Sequence, residues 1–451
     1  MACKTELIWI VSIIALFILI ITGVYINDKR RVRLTVKSTE TNGHTRIVAR
    51  TRLGVGVASP VPIAPLWWDK EEGAYMLKLK LGDSRVELVL DTGSSQISAK
   101  GAGCQYTSCE DGDSKSCSTQ QCPCGTSLTK EGGAQERKDC NPFYYVPKGR
   151  FISPGEEGAG TKTKLVYGSQ EDTVSHYMDA VSLPCMSDKT PMHHRFLLEN
   201  IPATNEDDAL NNNEYLLGNM IVHFVHHIQG TSSSNLVGLA RPALKSLGPE
   251  YGRHVTIEKL LQGSENVSEN VWSLLLEPQG GWFILGSLAP SFPGVEYVPM
   301  VDPPMFRDFV THFYVLDILS LEVGPDLKHM TLIKKRKPKY CIVDTGTTYT
   351  YGCAALGKQL AATGYDELSW YVRLRLGSKK NNTVLTYSPA DLQDVDFPSY
   401  SVFQCDAART LPDFNAIFPD PDVLLFGALM MQHHYWEFDL ERKRVGVCRV
   451  K

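Results

Sequence analysis

Leu88-Val89-Leu90-Asp91-Thr92-Gly93-Ser94-Ser95 returns in altered form as Ile342-Val343-Asp344-Thr345-Gly346-Thr347-Thr348. In both places an apolar run ends in a carboxylate, a hydroxyl residue and a glycine. A carboxylate at the end of a buried strand is costly unless it is hydrogen-bonded or shares its charge. A chain that builds this feature twice, 253 positions apart, is expected to bring the two carboxylates together. Face to face they cannot both ionise easily, so one keeps its proton while the other acts as a base. Such a pair suits the addition of water to a peptide bond.

Short alternating runs surround the first turn: Tyr75-Met76-Leu77-Lys78-Leu79-Lys80-Leu81, a Gly82-Asp83 turn, then Val86-Glu87-Leu88-Val89-Leu90. This period marks half-buried strands. Similar runs stand at 164–167, 221–225, 272–276, 281–286, 314–319, 435–439 and 444–447. Helices are expected only in brief pieces, near 257–262 and 355–362, and the Asn/Asp/Glu-rich section 190–214 reads as a surface insertion. The expected class is therefore mostly β, duplicated around the two turns. At 451 residues, 43% hydrophobic and 21% charged, the chain exceeds one ordinary core and should form two lobes. Its composition excludes a disordered or nucleic-acid-binding chain.

Leu7 to Ile26 contains no charge over twenty positions, enough at helical rise to cross about 30 Å of hydrocarbon. An uncleaved transmembrane signal anchor is expected there, with a cleaved signal peptide as the alternative. Residues 27–65 are basic and then Pro-rich, as in a stalk or pro-segment. Up to residue 64 there are nine Lys/Arg and three acids; the remainder holds 37 basic and 47 acidic residues. Basic residues after the apolar segment would place the body in the cytosol. Twelve cysteines argue instead for an oxidising compartment. The glycosylation sequons beginning at Asn266 and Asn381 point the same way. The expectation is a membrane-anchored protein on the lumenal or extracellular face of the secretory or endolysosomal pathway.

The Gly/Cys/Ser-rich stretch 101–141 should be a loop stapled by disulfides. Seven cysteines between 104 and 185 leave at least one without a partner among them, and those at 341, 353, 405 and 448 admit two bridges in three pairings. Cys122-Pro123-Cys124 and its neighbours lack zinc-ligand spacing. The doublets His193-His194, His226-His227 and His433-His434 offer one imidazole to each side of a strand. Neither a metal nor a cofactor is expected. Lys334-Lys335-Arg336-Lys337 reads as a solvated hairpin tip.

Two further segments complete a pattern: Asn235-Leu236-Val237-Gly238-Leu239-Ala240-Arg241-Pro242 and Leu424-Leu425-Phe426-Gly427-Ala428-Leu429-Met430-Met431. With both acidic turns, and with the closing runs 435–439 and 445–447, the chain resembles the pepsin-like aspartic endopeptidases over about residues 66–451. The resemblance implies a bilobal acid-protease fold, two β-barrel-like lobes with an active-site cleft between them. The N-terminal lobe would cover 66–295, with the Cys-rich insertion 101–141 and a flap near 164–170; the C-terminal lobe would cover 296–451. Ahead of them lie a short tail (1–6), the apolar segment (7–26) and the basic leader (27–65), for which the family suggests an inhibitory pro-segment.

The same resemblance implies that Asp91 and Asp344 are the catalytic dyad, sharing a proton across an activated water. Thr92 and Thr345 would bond opposing backbone, Gly93 and Gly346 would bring N–H groups to the carboxylates, and Ser94 and Thr347 would bond the outer carboxylate oxygens. Tyr167, Gly168 and Ser169 would form the tip of a flap covering the substrate, with Tyr144 or Tyr145 as competitors for the tyrosine. Partners would be polypeptide substrates in the interlobe cleft and the membrane, with no nucleic acid, and the protein would be a monomer. Ser98 stands where many members carry Trp. With the Cys-rich insertion, this resembles the branch containing nepenthesin and plasmepsin V; membrane attachment is similar to plasmepsin V and memapsin. The alternative is an inactive pepsin-like binding or inhibitor module, a class that typically lacks a catalytic Asp, whereas both are present here.

Overall fold

Val86, Leu88 and Leu90 alternate with Arg85 and Glu87 and bury completely on one face of a strand that ends at Asp91. Around that strand the protein assembles as a mostly β structure. The computed structural model describes residues 34–41, 44–51, 61–109, 117–122, 126–128, 134–136, 150–152, 162–167, 170–186, 194–202, 214–229, 235–242, 270–306, 311–334, 337–352, 354–398, 400–404 and 423–450. Two units divide the chain, residues 1–59 and 60–451. In the first, strands Leu34–Thr41 and His44–Thr51 form an antiparallel hairpin within the stretch read as a stalk. The apolar run 7–26 lies outside the described residues, among which no helix is long and apolar enough to cross a membrane.

The second unit opens with β1 (Ile63–Asp69), β2 (Ala74–Leu81), β3 (Ser84–Asp91) and β4 (Ile97–Cys109). The hairpin of β5 (Thr163–Tyr167) and β6 (Gln170–Pro184) follows, then β7 (Glu214–Gln229) and β8 (Leu236–Gly238). Strands β9 (Val271–Glu277) and β10 (Gly280–Ile284) complete the first half. Hydrogen bonding runs β6-β7-β4-β8-β3-β2, and β6 returns to β2 through Val181–Leu81 and Ser182–Lys80, closing six strands on themselves. The same fifteen-stranded sheet continues through β1, β10 and β9.

In the second half, β11 (Val315–Gly324), β12 (Tyr340–Val343) and β13 (Val423–Phe426) lie in an eight-stranded sheet with Tyr371–Gly377 and Asn382–Tyr387. The helix α1 (Ala354–Ala362) matches the brief helix expected there, and α2 (Ala428–Met431) follows β13. Strands β14 (His434–Asp439) and β15 (Arg444–Arg449) close the chain. They leave the second sheet and join the first: β14 pairs with β9, and Trp272 stacks on Phe438 with ring centroids 4.1 Å apart. A division at 295/296 thus assigns to the second half three strands of the larger sheet, Glu296–Pro299, β14 and β15. One core holds residues of both halves, Leu77, Leu88 and Trp272 with Leu374, Phe426 and Trp436.

Several expectations require correction. Strand β1 begins inside the Pro-rich stretch: Ile63 and Ala64 are buried and pair with β10, so apolar burial outweighs the linker-like prolines. The Cys-rich stretch is not wholly loop. Strand β4 runs on to Cys109 and pairs with Cys117–Gln121; the Cys104–Cys122 disulfide packs with Tyr106, Val174, Val225 and Ile228. It is the single disulfide among the described residues. Cys341 and Cys448 are free thiols, so the late cysteines do not all bridge. Cys341 sits in the core on β12 and acts as a small apolar side chain; burial pushes its thiol upward. Cys353 and Cys405 lie outside the described residues. Lys337 is half-buried rather than solvated, its ammonium donating to the carbonyls of Ile318 and Leu319 at 2.8 Å, where β11 carries a register shift.

Candidate active site

The two acidic turns have the same local construction. Beyond Asp91 the chain turns and leaves as β4; β8, arriving about 140 residues later, slots between the two strands, parallel to β3 and antiparallel to β4. Beyond Asp344 the chain leaves through Thr350–Tyr351, and β13 slots in the same way, parallel to β12 and antiparallel to the outgoing residues. Each inserted strand runs into a glycine, and the backbone of the residues after it locks the turn. Leu239 N–H donates to Asp91 O and Ala240 N–H to Ser94 O, both at 2.7 Å; Ala428 N–H donates to Thr347 O at 2.7 Å and Leu429 N–H to Thr348 O at 3.1 Å. A side chain on Gly238 would strike the backbone of Ser94 to Gln96, and one on Gly427 that of Thr347 and Tyr349.

These locks bring the two turns together. Thr92 Oγ1 donates to Val343 O at 2.8 Å, and Thr345 Oγ1 donates to Leu90 O at 2.6 Å. Each hydroxyl also accepts the other threonine's N–H, at 2.9 and 3.0 Å. All four groups are buried, where such bonds are strengthened and an unmade one is expensive. The glycines then allow close approach. A Cβ on Gly93 would lie 2.6 Å from Asp344 Oδ1, and one on Gly346 would collide with the Asp91 carboxylate. Each carboxyl thus lies across the opposite glycine, and the two are within hydrogen-bonding reach of each other.

The remaining bonds are local. Asp91 Oδ1 accepts Gly93 N–H at 2.6 Å; Asp344 accepts Gly346 N–H at 3.0 Å and the Thr347 hydroxyl at 2.7 Å. Ser94 differs from Thr347: its buried hydroxyl has no aligned hydrogen bond, though its proximity still favours ionised Asp91. Burial is the main force on Asp91 and lifts its carboxyl well above the ordinary range, with the charge of Asp344 acting in the same direction.

The face of the sheet that carries Asp91 also carries Val89, two residues earlier. From Val89 one lateral row of facing residues runs through Leu236 and Ser98 to His223 and His176. It therefore links the first acidic strand to β6, the return strand of the hairpin whose far end is Tyr167 opposite Gln170. His176 and His223 are buried and packed edge to face, centroids 4.6 Å apart. Sequence inspection did not find this row; its members are adjacent only through strand pairing. Gly168, Ser169, Tyr144, Tyr145 and Asn266 lie outside the described residues. Asn381 is exposed at the turn into Asn382–Tyr387. In the doublet His226-His227 the imidazoles bond Ser175 and Thr107, and a register shift at His226 interrupts the alternation expected of the strand. Among the described residues no cluster of three or more His, Cys, Asp or Glu could hold a metal ion.

Three buried imidazoles make the fold acid-sensitive. Burial lowers His176, lowers His223 further, and brings His434 to about 4. The unfolded chain binds these protons near pH 6.5, so the native state loses stability as pH falls from there towards the folded values. His434 accounts for roughly 3 kcal/mol of this loss below pH 4. Urea unfolding of wild type and His434→Gln between pH 7 and 4 should show a flatter profile in the variant. Equal slopes would remove His434 as a cause.

No protein-family model matches this chain, and no curated protein matches it.

Proposed function

We propose that this protein is an aspartic endopeptidase of pepsin-like, bilobal architecture that hydrolyses peptide bonds at the Asp91–Asp344 pair. The observation that carries this reading is the reciprocal placement of the carboxyls, each over the other turn's glycine, held by four buried threonine bonds. A peptide carbonyl and a water between the carboxyls have a proton donor and a proton acceptor on hand. Asp91, whose neutral form burial favours, holds the shared proton. Asp344 takes a proton from water as the water oxygen bonds to the carbonyl carbon, and Asp91 gives its proton to the carbonyl oxygen. In the collapse of the tetrahedral adduct, Asp344 returns its proton to the amide nitrogen, the C–N bond breaks, and Asp91 recovers a proton from the adduct's hydroxyl.

The β5–β6 hairpin, whose described end is Tyr167 opposite Gln170, is the flap that shields the reaction from bulk water. The protein acts as a monomer on polypeptides, anchored by residues 7–26 on the lumenal or extracellular side, with glycans at Asn266 and Asn381. The basic leader serves as a pro-segment or a stalk.

Incubating the protein with a generic peptide mixture at pH 4–6, with and without pepstatin, tests this. Pepstatin-sensitive cleavage is expected. Absence of cleavage at every pH by correctly folded protein would leave a pepsin-like binding module.

A further inference from the structure

Exposed apolar side chains are ordinary when scattered, but Val395, Phe397 and Tyr400 are 70%, 50% and 42% exposed within six residues. The loop that bears them is ordered by its own bonds. One oxygen of Asp394 accepts the N–H groups of Asp396 and Phe397 at 2.9 and 3.2 Å, Gln393 Nε2 donates to Pro398 O at 2.9 Å, and Tyr400 N–H donates to Phe397 O at 2.8 Å. A rigid loop that holds apolar groups in water loses little entropy when something covers them.

What covers them is indicated by where the loop is tied. The other oxygen of Asp394 accepts the Tyr349 hydroxyl at 2.7 Å, and Tyr349 lies five residues after Asp344. Asp396 accepts Trp68 Nε1 at 3.3 Å and pairs with Lys70. The turn following Lys70 meets the second acidic segment directly, because a Cβ on Gly73 would lie 2.7 Å from Thr348 Oγ1. The loop is thus tied to the segment that follows Asp344 and braced from both halves of the chain. Both of its carboxylates already have donors, so it offers apolar surface and no spare charge for a basic ligand. An extended polypeptide advances about 3.3 Å per residue and reaches beyond the reacting bond.

We propose that the apolar surface of Val395, Phe397 and Tyr400 is an accessory subsite that binds apolar side chains of a polypeptide substrate away from the scissile bond. This rests on the peptidase reading above. It makes Val395, Phe397 and Tyr400 specificity-determining and favours extended or unfolded polypeptides with an apolar flank over short peptides.

The test compares full-length wild type with the triple variant Val395→Ser, Phe397→Ser, Tyr400→Ser. A cleavable core peptide is extended at either end with Leu-Phe-Val or with Ser-Gly-Ser. A parallel set replaces the scissile amide by a reduced, non-hydrolysable bond. In wild type the apolar flank at one end should improve kcat/KM about tenfold, through KM, and tighten Kd of the reduced peptide equally. In the variant the ratio of flanked to core peptide should fall to about one, with an unchanged melting temperature showing that the fold persists. An equal gain in both proteins, or no gain in wild type, overturns the proposal. If no peptide is cleaved, the peptidase reading fails, and the Kd ratios still decide the subsite.

Discussion

Asp91→Asn is expected to lower kcat by roughly four orders of magnitude, the upper end of what positioned acid–base catalysis supplies. Asn keeps the shape and can accept Gly93 N–H, but it cannot pass a proton to a carbonyl oxygen and take it back. Asp344 alone would have to serve as acid and base. The fold should tolerate the change. Burial and the neighbouring charge raise the Asp91 carboxyl, so the native state favours its neutral form. Relative to the unfolded chain, the wild type then loses stability as pH climbs from about 3.9 through the raised native value. Asn carries no such penalty, and the variant should melt at or above the wild-type temperature at pH 7, with the difference closing in acid. Sequencing peptides released from a proteome digest by both proteins reads activity and side-chain preference together. A variant retaining even a tenth of wild-type turnover would show that the dyad does not carry the reaction.

Thr92→Val and Thr345→Val should each destabilise the protein by about 2–4 kcal/mol, because each strands a buried carbonyl and a buried N–H without replacing their partners. Valine preserves the shape, so the cost belongs to the hydrogen bonds rather than to a cavity. The two changes act on one network and should be non-additive by at least about 0.5 kcal/mol. Turnover should fall in each variant, since the threonines hold the glycine of one turn beneath the carboxyl of the other. Urea unfolding of the two single variants and the double variant measures this. Single losses below about 0.5 kcal/mol would mean that other contacts hold the turns in place.

Much of this was legible in the residues. Alternation in 75–90 marked β2 and β3, and the helix expected at 355–362 lies within α1. The two Asp-Thr-Gly turns face each other as their duplication suggested. Other features resisted. Pro60, Pro62 and Pro65 signalled a linker, yet Ile63 is fully buried beside Ile284. Cys341 looked like half of a bridge, although it occupies a core position on β12. At Ile63 a local propensity worth a fraction of a kcal/mol met the burial of a whole side chain, worth about 1.5–3 kcal/mol.

The sequence by itself determined which residues can do chemistry: a carboxylate, a hydroxyl and a glycine at each of two strand ends is a statement of local composition. Tertiary structure alone decided what those residues touch. The row from Val89 to His176, the tie between Tyr349 and Asp394, and the departure of β14 from its own half to join β9 all depend on strand register. Register is selected by the burial of complete faces, because a slip of one residue would turn every apolar side chain of a strand to the wrong side. That energy is summed over many strands at once, and no single stretch of the chain displays it.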